Sequence, residues 1–185
     1  LWQGAESVPG RPTADAELNA RLAEVAGWIA LNTGDLQRAR ELLADGRQKA
    51  MQSLGIDHLR TFRLGQALFR AERDLSQFDT ALSLQTELRQ SASRVQGLEP
   101  RELSDMDWEH VNLLFGAGRF GQAFAMVEVA LPRCVEALGP QEQSCRYLFL
   151  KRAQTLLRLG RVDAALQELP RLQSMANDAN LPFLQ

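Results

Sequence analysis

Three groups of residues in this 185-residue chain could do chemistry. Cys134 and Cys145 stand eleven positions apart, on either side of Gly139. Two thiols brought to a similar height on neighbouring segments can join as a disulfide, or stay reduced and pack as small apolar groups, and both readings fit here. His58 and His110 are 52 positions apart, and neither has a second His or Cys at the spacing by which one helix presents metal ligands. Zinc is not indicated. The third group is Trp28, Trp108 and Tyr147 together with Arg21, Arg63 and Arg70. Rigid aromatic area and guanidinium forks are what bind peptides and carboxylates. No G-x-x-x-x-G-K-[ST], G-x-G-x-x-G after a strand, G-x-S-x-G or H-E-x-x-H occurs, so no set of nucleophile, base and oxyanion donor can be assembled. The expectation is a non-catalytic chain without cofactor or metal. Asp105 and Asp107 read as solvated or capping carboxylates near a helix start, where the positive end of the helix dipole favours them.

Composition narrows the classes further. With 21 basic and 23 acidic residues, the chain is neither a coat for nucleic acid nor an acidic tail. Its 45% apolar and 24% charged residues are those of a soluble globular protein, and its longest apolar runs, such as Tyr147-Leu148-Phe149-Leu150, fall far short of the roughly 20 residues of a membrane span. The chain opens at Leu1 with neither a Met nor a charged-then-apolar leader, which reads as a piece of a longer protein. Of the 21 basic residues 19 are Arg, a bias better assigned to genome composition than to function.

The elements that must position these residues follow from a repeat. Thr33-Gly34-Asp35, Leu75-Ser76-Gln77, Ala117-Gly118-Arg119 and Leu159-Gly160-Arg161 recur every 42 residues. Ala39, Ala81, Ala123 and Ala165 keep the same step, as do Gly55, Gly97 and Gly139. Within each unit the spacing predicts a helix, a turn closed by a left-handed cap, and a second helix. The first helix carries Leu22 and Ile29 in repeat one and Leu148 and Leu156 in repeat four. The second buries Leu42-Leu43, Leu82-Leu84-Leu88, Ala123-Val127-Ala130-Leu131 and Ala165-Leu166-Leu169. It ends near Gly55, Gly97 or Gly139, with Pro100 and Pro140 just beyond. Residues 1–13, with Gly4, Pro9, Gly10 and Pro12, read as a linker; the repeats occupy approximately 14–55, 56–97, 98–139 and 140–181 of a domain spanning 14–185. Two places depart from the pattern. In repeat two, Glu72 and Arg73 fall on usually apolar positions, and Leu64, Ala67, Leu68 and Ala71 fit better if the first helix slips by one residue with an extra residue in its turn. In repeat three Asp107 and His110 fall on such positions. The last eleven residues, from Met175, carry no turn signature and read as a fold-back segment or the start of a further repeat.

The motif helix, Gly turn, apolar residue, then Ala five on from the Gly, as in Leu-Gly-Arg-Val-Asp-Ala-Ala-Leu at 159–166 and Ala-Gly-Arg-Phe-Gly-Gln-Ala-Phe at 117–124, resembles the tetratricopeptide repeat (TPR). Leu54-Gly55-Ile56-Asp57-His58 and Leu138-Gly139-Pro140-Gln141-Glu142 resemble the linker of the long, kinesin-light-chain-like type used in bacterial signalling proteins. That resemblance implies an all-α solenoid of about four helix-turn-helix units in a right-handed superhelix, with a concave groove lined by the first helices. The groove face carries Arg21, Glu24 and Trp28 in repeat one, Arg63, Gln66 and Arg70 in two, Asp105, Trp108 and Asn112 in three, and Tyr147, Leu150 and Gln154 in four. Arg21, Trp28, Arg63, Arg70, Trp108, Asn112, Tyr147 and Gln154 are the candidate peptide contacts, while Trp28 and Trp108 could equally fill gaps between repeats. The implied role is a protein-interaction scaffold within a larger bacterial signalling protein, such as the C-terminal region of a serine/threonine kinase or a regulator. A ligand-sensing regulatory domain and a self-assembly module are the alternatives. Its partner is a protein or peptide with acidic groups or a carboxylate, not nucleic acid and not a membrane, and a homo-oligomer is open to it. The compartment is the cytoplasm, or the periplasm if Cys134 and Cys145 are joined.

Overall fold

The computed structural model describes residues 14–178, and every regular element among them is an α-helix. In chain order these are α1 (Ala14–Asn32), α2 (Leu36–Ser53), α3 (Leu59–Asp74), α4 (Phe78–Ser91), α5 (Pro100–Gly116), α6 (Phe120–Leu138), α7 (Gln143–Arg158) and α8 (Val162–Asp178). They form four hairpins, α1–α2 to α7–α8, each closed by three residues. The middle residue of every turn is left-handed: Gly34 at φ +79°, Ser76 at +60°, Gly118 at +72° and Gly160 at +72°. The next residue's N–H then reaches back to the last turn of the first helix, Asp35 to the Ala30 carbonyl, Gln77 to Glu72, Arg119 to Leu114 and Arg161 to Leu156. This pattern satisfies carbonyls that the helix end leaves orphaned.

Because Ser76 adopts the same conformation as its glycine counterparts, the turn of repeat two has no extra residue, and the expected slip of its first helix does not occur. Leu64, Ala67 and Ala71 are fully buried in the unshifted register. Glu72 simply occupies the buried position that Ala30, Leu114 and Leu156 fill elsewhere. The helix starts are secured locally. The Asp35 side chain caps α2 by accepting from the Arg38 N–H, His58 Nδ1 caps α3 by accepting from the Arg60 N–H, and Glu99 with Glu102 forms a capping box ahead of Pro100 on α5. One end differs from expectation: α4 stops at Ser91, well short of Gly97. The Ser91-Ala92-Ser93 run offers side-chain hydroxyls that compete for backbone partners, and Ser91 Oγ donates to the Leu88 carbonyl.

The chain divides into two compact units, parted between Gly97 and Leu98. In the first, α3 lies against both α1 and α2, and Ala20, Ala30, Ala39, Leu43, Ala50, Leu64, Ala67 and Ala71 form one core. The helices cross closely because the contact positions are small: a Cβ on Gly27 would overlap the Leu43 side chain, and Ala39 is wholly buried. The second unit is built alike, with Val111, Val127, Ala130, Leu131, Leu148 and Phe149 around Cys134 and Cys145. There the expectation for the two aspartates fails. Asp105 and Asp107 lie beyond the first turn of α5, where the dipole has faded; Asp107 is buried and receives a hydrogen bond from Arg133 at 2.6 Å, and Asp105 accepts from the Ser144 hydroxyl. Their partners on α6 and α7, not the helix end, hold them.

Two predicted apolar stripes are not buried. Leu22 and Ile29 of α1 and Leu166 and Leu169 of α8 are exposed, because among the described residues no hairpin covers the columns that a neighbouring hairpin covers elsewhere. The proposed linker 1–13 and most of the last eleven residues lie outside the described residues. No helix among the described residues is long and apolar enough to cross a membrane.

Two glycines separate conformational from steric demand. Gly118 has open space where a Cβ would go, so Gly118→Ala should cost only its left-handed strain, about 1 kcal/mol. Gly27→Ala should cost about 1–3 kcal/mol by overpacking against Leu43. Denaturant midpoints of the two variants check this order, and an unchanged midpoint for Gly118→Ala would refute the left-handed cap.

Candidate functional site

Within each unit the first helices bring aromatic and cationic residues together. In the first unit, α1 and α3 bring together two of the expected residues: the Arg70 guanidinium lies 4.8 Å from the Trp28 ring centroid. Trp28 is half-buried at the edge of the core, so it packs and presents a ring face at once. Arg21 is exposed and Arg63 half-buried. Glu24 is taken up by Arg60, at 3.3 Å, which removes it from the face as a free carboxylate.

In the second unit, α5 and α7 build a denser cluster. The rings of Trp108 and Tyr147 stack, with centroids 4.9 Å apart and planes 27° from parallel. The Tyr147 hydroxyl accepts a hydrogen bond from Gln143 Nε2 at 2.8 Å, and Asn112 and Gln154 are half-buried nearby in sequence on the same two helices. Below them lies a residue that sequence reasoning missed, Lys151, only 9% exposed. Its Nζ is 4.3 Å from the Phe115 ring centroid and 5.4 Å from that of Trp108. No carboxylate pairs with it among the described residues. Burial pulls its pKa below the ordinary lysine value of 10.5, with no neighbouring charge to oppose the fall. Arg158 extends the cluster, 5.9 Å from both Phe115 and Phe120.

The chemistry of this cluster is that of an anion receiver. An isolated ammonium out of water is unfavourable, and ring faces compensate it only in part, by about 0.5–2 kcal/mol each. A carboxylate arriving at Lys151 would supply the missing partner, while the Trp108 and Tyr147 rings offer apolar area beside it. Two signals in the sequence could have found it: Lys151 lies one helical turn after Tyr147, and Phe115 lies two turns after Trp108, which puts all four on facing stripes. By contrast, Arg152 is saturated by Glu128 and Glu168, which raise its pKa, and is not available to a ligand in the same way.

Cys134 and Cys145 are joined as a disulfide, with Cα atoms 5.6 Å apart, tying the end of α6 to the start of α7 inside the core. His58 serves as a helix cap beside Glu17, 3.3 Å from Nε2. Among the described residues no cluster of three or more His, Cys, Asp or Glu could hold a metal ion.

Several solved structures share this arrangement of hairpins. BtubC (BKLC) from P. vanneervenii superposes with a TM-score of 0.81 at 14% identity, over 94% of this chain and 69% of that one. A putative kinesin light chain from Podosopora anserina with nearly identical TPR-like repeats gives 0.70 at 17% identity, over 95% and 81%. The fold is the TPR-like helical repeat. MamA (MSR-1 C2) agrees, at 0.62 and 17% identity over 90% and 82%. No protein-family model and no curated protein matches the chain. At such identities the TPR-like likeness concerns fold alone, and TPR-like folds are in general non-catalytic scaffolds that bind protein partners.

Two outcomes follow from the site. Because the folded pKa of Lys151 is depressed, the unfolded chain holds more protons between that lowered value and 10.5, so stability should rise with pH across this window. Unfolding free energies measured from neutral pH upward should show this rise in the wild type and a smaller one in Lys151→Met; identical pH slopes would contradict the environment described. Reducing the disulfide should destabilise the second unit by about 3 kcal/mol, from the loop-closure entropy of an eleven-residue separation, and a thermal melt with and without a thiol reductant checks it.

Proposed function

We propose that this chain is a non-catalytic interaction module whose α5–α7 face holds an extended acidic peptide of a protein partner. The observation that carries the reading is Lys151, a buried ammonium whose described neighbours are ring faces rather than a carboxylate. One carboxylate of the peptide seats on Lys151 Nζ, and an adjoining apolar side chain lies on the Trp108–Tyr147 stack. Asn112 and Gln154 supply hydrogen bonds to the peptide backbone. Arg70 over Trp28, with Arg21 and Arg63, provides a separate contact of related chemistry in the first unit. The long-period resemblance favours a place within a larger bacterial signalling protein, a kinase C-terminal region or a regulator. The disulfide favours an oxidising compartment such as the periplasm over the cytoplasm.

Tryptophan fluorescence titrations with an array of acidic peptides test the reading, each peptide paired with a version in which Gln or Asn replaces its carboxylates. Acidic members should bind and lose affinity with salt, and Lys151→Met should weaken them at least tenfold, as expected when one partner of a buried charge pair is removed. Equal binding by the neutral peptides, or by Lys151→Met, would overturn it.

A further inference from the structure

A cleft of about 470 Å³ in the second unit is walled by α6, α7 and α8. That volume falls within the range of small-molecule sites, roughly 300 to 1,000 Å³. Leu131, Pro132 and Val135 of α6 and the buried Phe149 of α7 give it an apolar lining. Pro132 lies inside α6 and supplies no N–H to the helical ladder, so that wall is interrupted where the cleft forms. The charged side chains around it are not equivalent. Arg152 is held by both Glu128 and Glu168. Arg171 of α8 and Glu136 of α6 are exposed and have no ion-pair partner among the described residues. The Arg171 guanidinium lies 3.8 Å from the Phe149 ring centroid, close enough to stack. Stacking occupies one face of the guanidinium and leaves its in-plane N–H groups for a carboxylate, which such a fork receives in pairs.

Helical counting sets the distance between the two unpaired charges. Glu128 and Glu168 share Arg152 and so stand at one level. From there Arg171 is three residues on along α8 and Glu136 eight residues on along α6, a rise of about 4.5 Å and about 12 Å. The two helices run the same way, each antiparallel to α7, so the cation and the carboxylate are offset by about 7 Å along the cleft. A carboxylate and an ammonium on one carbon, with a charge-assisted hydrogen bond of about 2.8 Å at either end, bridge a gap of that order. The surrounding carboxylates outnumber the guanidiniums, which disfavours a ligand that is only an anion. We infer that this cleft binds a free α-amino acid with an apolar side chain. Its carboxylate seats on Arg171, its ammonium on Glu136, and its side chain on Leu131, Pro132 and Val135. The site shares no residue with the α5–α7 face, so it stands or falls separately from the peptide reading.

Equilibrium dialysis of the full chain against labelled leucine tests this. The wild type should take up one leucine per chain, saturably, and phenylalanine should compete. Leucinamide lacks the carboxylate and N-acetylleucine lacks the ammonium; each should bind about tenfold more weakly, the loss expected for a hydrogen bond to a charged group. Arg171→Gln should lower leucine affinity to a similar extent and abolish the preference for leucine over leucinamide. Glu136→Gln should abolish the preference over N-acetylleucine. A residue that only supported the fold would weaken all three ligands alike. Both residues are exposed, so the melting temperature of the variants should be kept. Lys151→Met should leave leucine binding unchanged. A wild type without saturable uptake, derivatives that bind as well as leucine, or variants that keep the wild-type preferences would each overturn the inference.

Discussion

A pair of short helices cannot bury both of its apolar faces against itself. Each hairpin here closes one face internally, where Ala39, Ala81, Ala123 and Ala165 let the two helices approach, and leaves another to be covered by a neighbouring hairpin. Leu64, Ala67 and Ala71 are buried because α1 and α2 lie over them; Leu22 and Ile29, at corresponding positions, are exposed because no hairpin among the described residues lies over them. Burial in this fold is thus decided by neighbours, and a residue's type predicts only that some cover is wanted.

The same constraint explains the fate of the charged residues that fall in the repeat's core columns. Asp107 takes a place filled elsewhere by small or aromatic residues and is tolerated because Arg133 reaches it from α6. Glu72 stands in the column of Ala30, Leu114 and Leu156. Lys151 is in the column of Ala67, yet it has rings where Asp107 has a guanidinium. A structural role usually ends in a matched pair, since unpaired buried charge is disfavoured. Among the described residues Lys151 does not end in one, and that asymmetry distinguishes the α5–α7 face from the several ion pairs elsewhere, such as Arg47 with Glu87 or Arg101 with Glu142, which serve to join neighbouring helices.

The disulfide adds a different restraint. It clips α6 to α7 across the Gly139 turn, so the helix bearing Tyr147 and Lys151 is tied by a covalent bond to the hairpin that bears Trp108. The aromatic stack and the lysine beneath it are held on rigid helices rather than loops, and pre-organisation of this kind lowers the entropy lost on binding a flexible segment.

Much of this architecture was legible in the residues themselves. The 42-residue step located all four hairpins, because a left-handed turn and a close helix crossing each accept few residue types and so leave columns of Gly and Ala. Pairing of Trp28 with Arg70 and of Trp108 with Tyr147 was within reach of helical counting, since these residues lie on facing first helices. The slip read into repeat two was wrong because Ser76 can hold a left-handed conformation that its type does not advertise, and the early end of α4 depended on local hydroxyl bonds. What the residues alone determined is the periodic backbone: helix, cap, helix, four times over. Which stripes are covered, whether two thiols meet, and that Lys151 lies against rings rather than a carboxylate were decided only in three dimensions, because each depends on distances between segments that no spacing along the chain specifies.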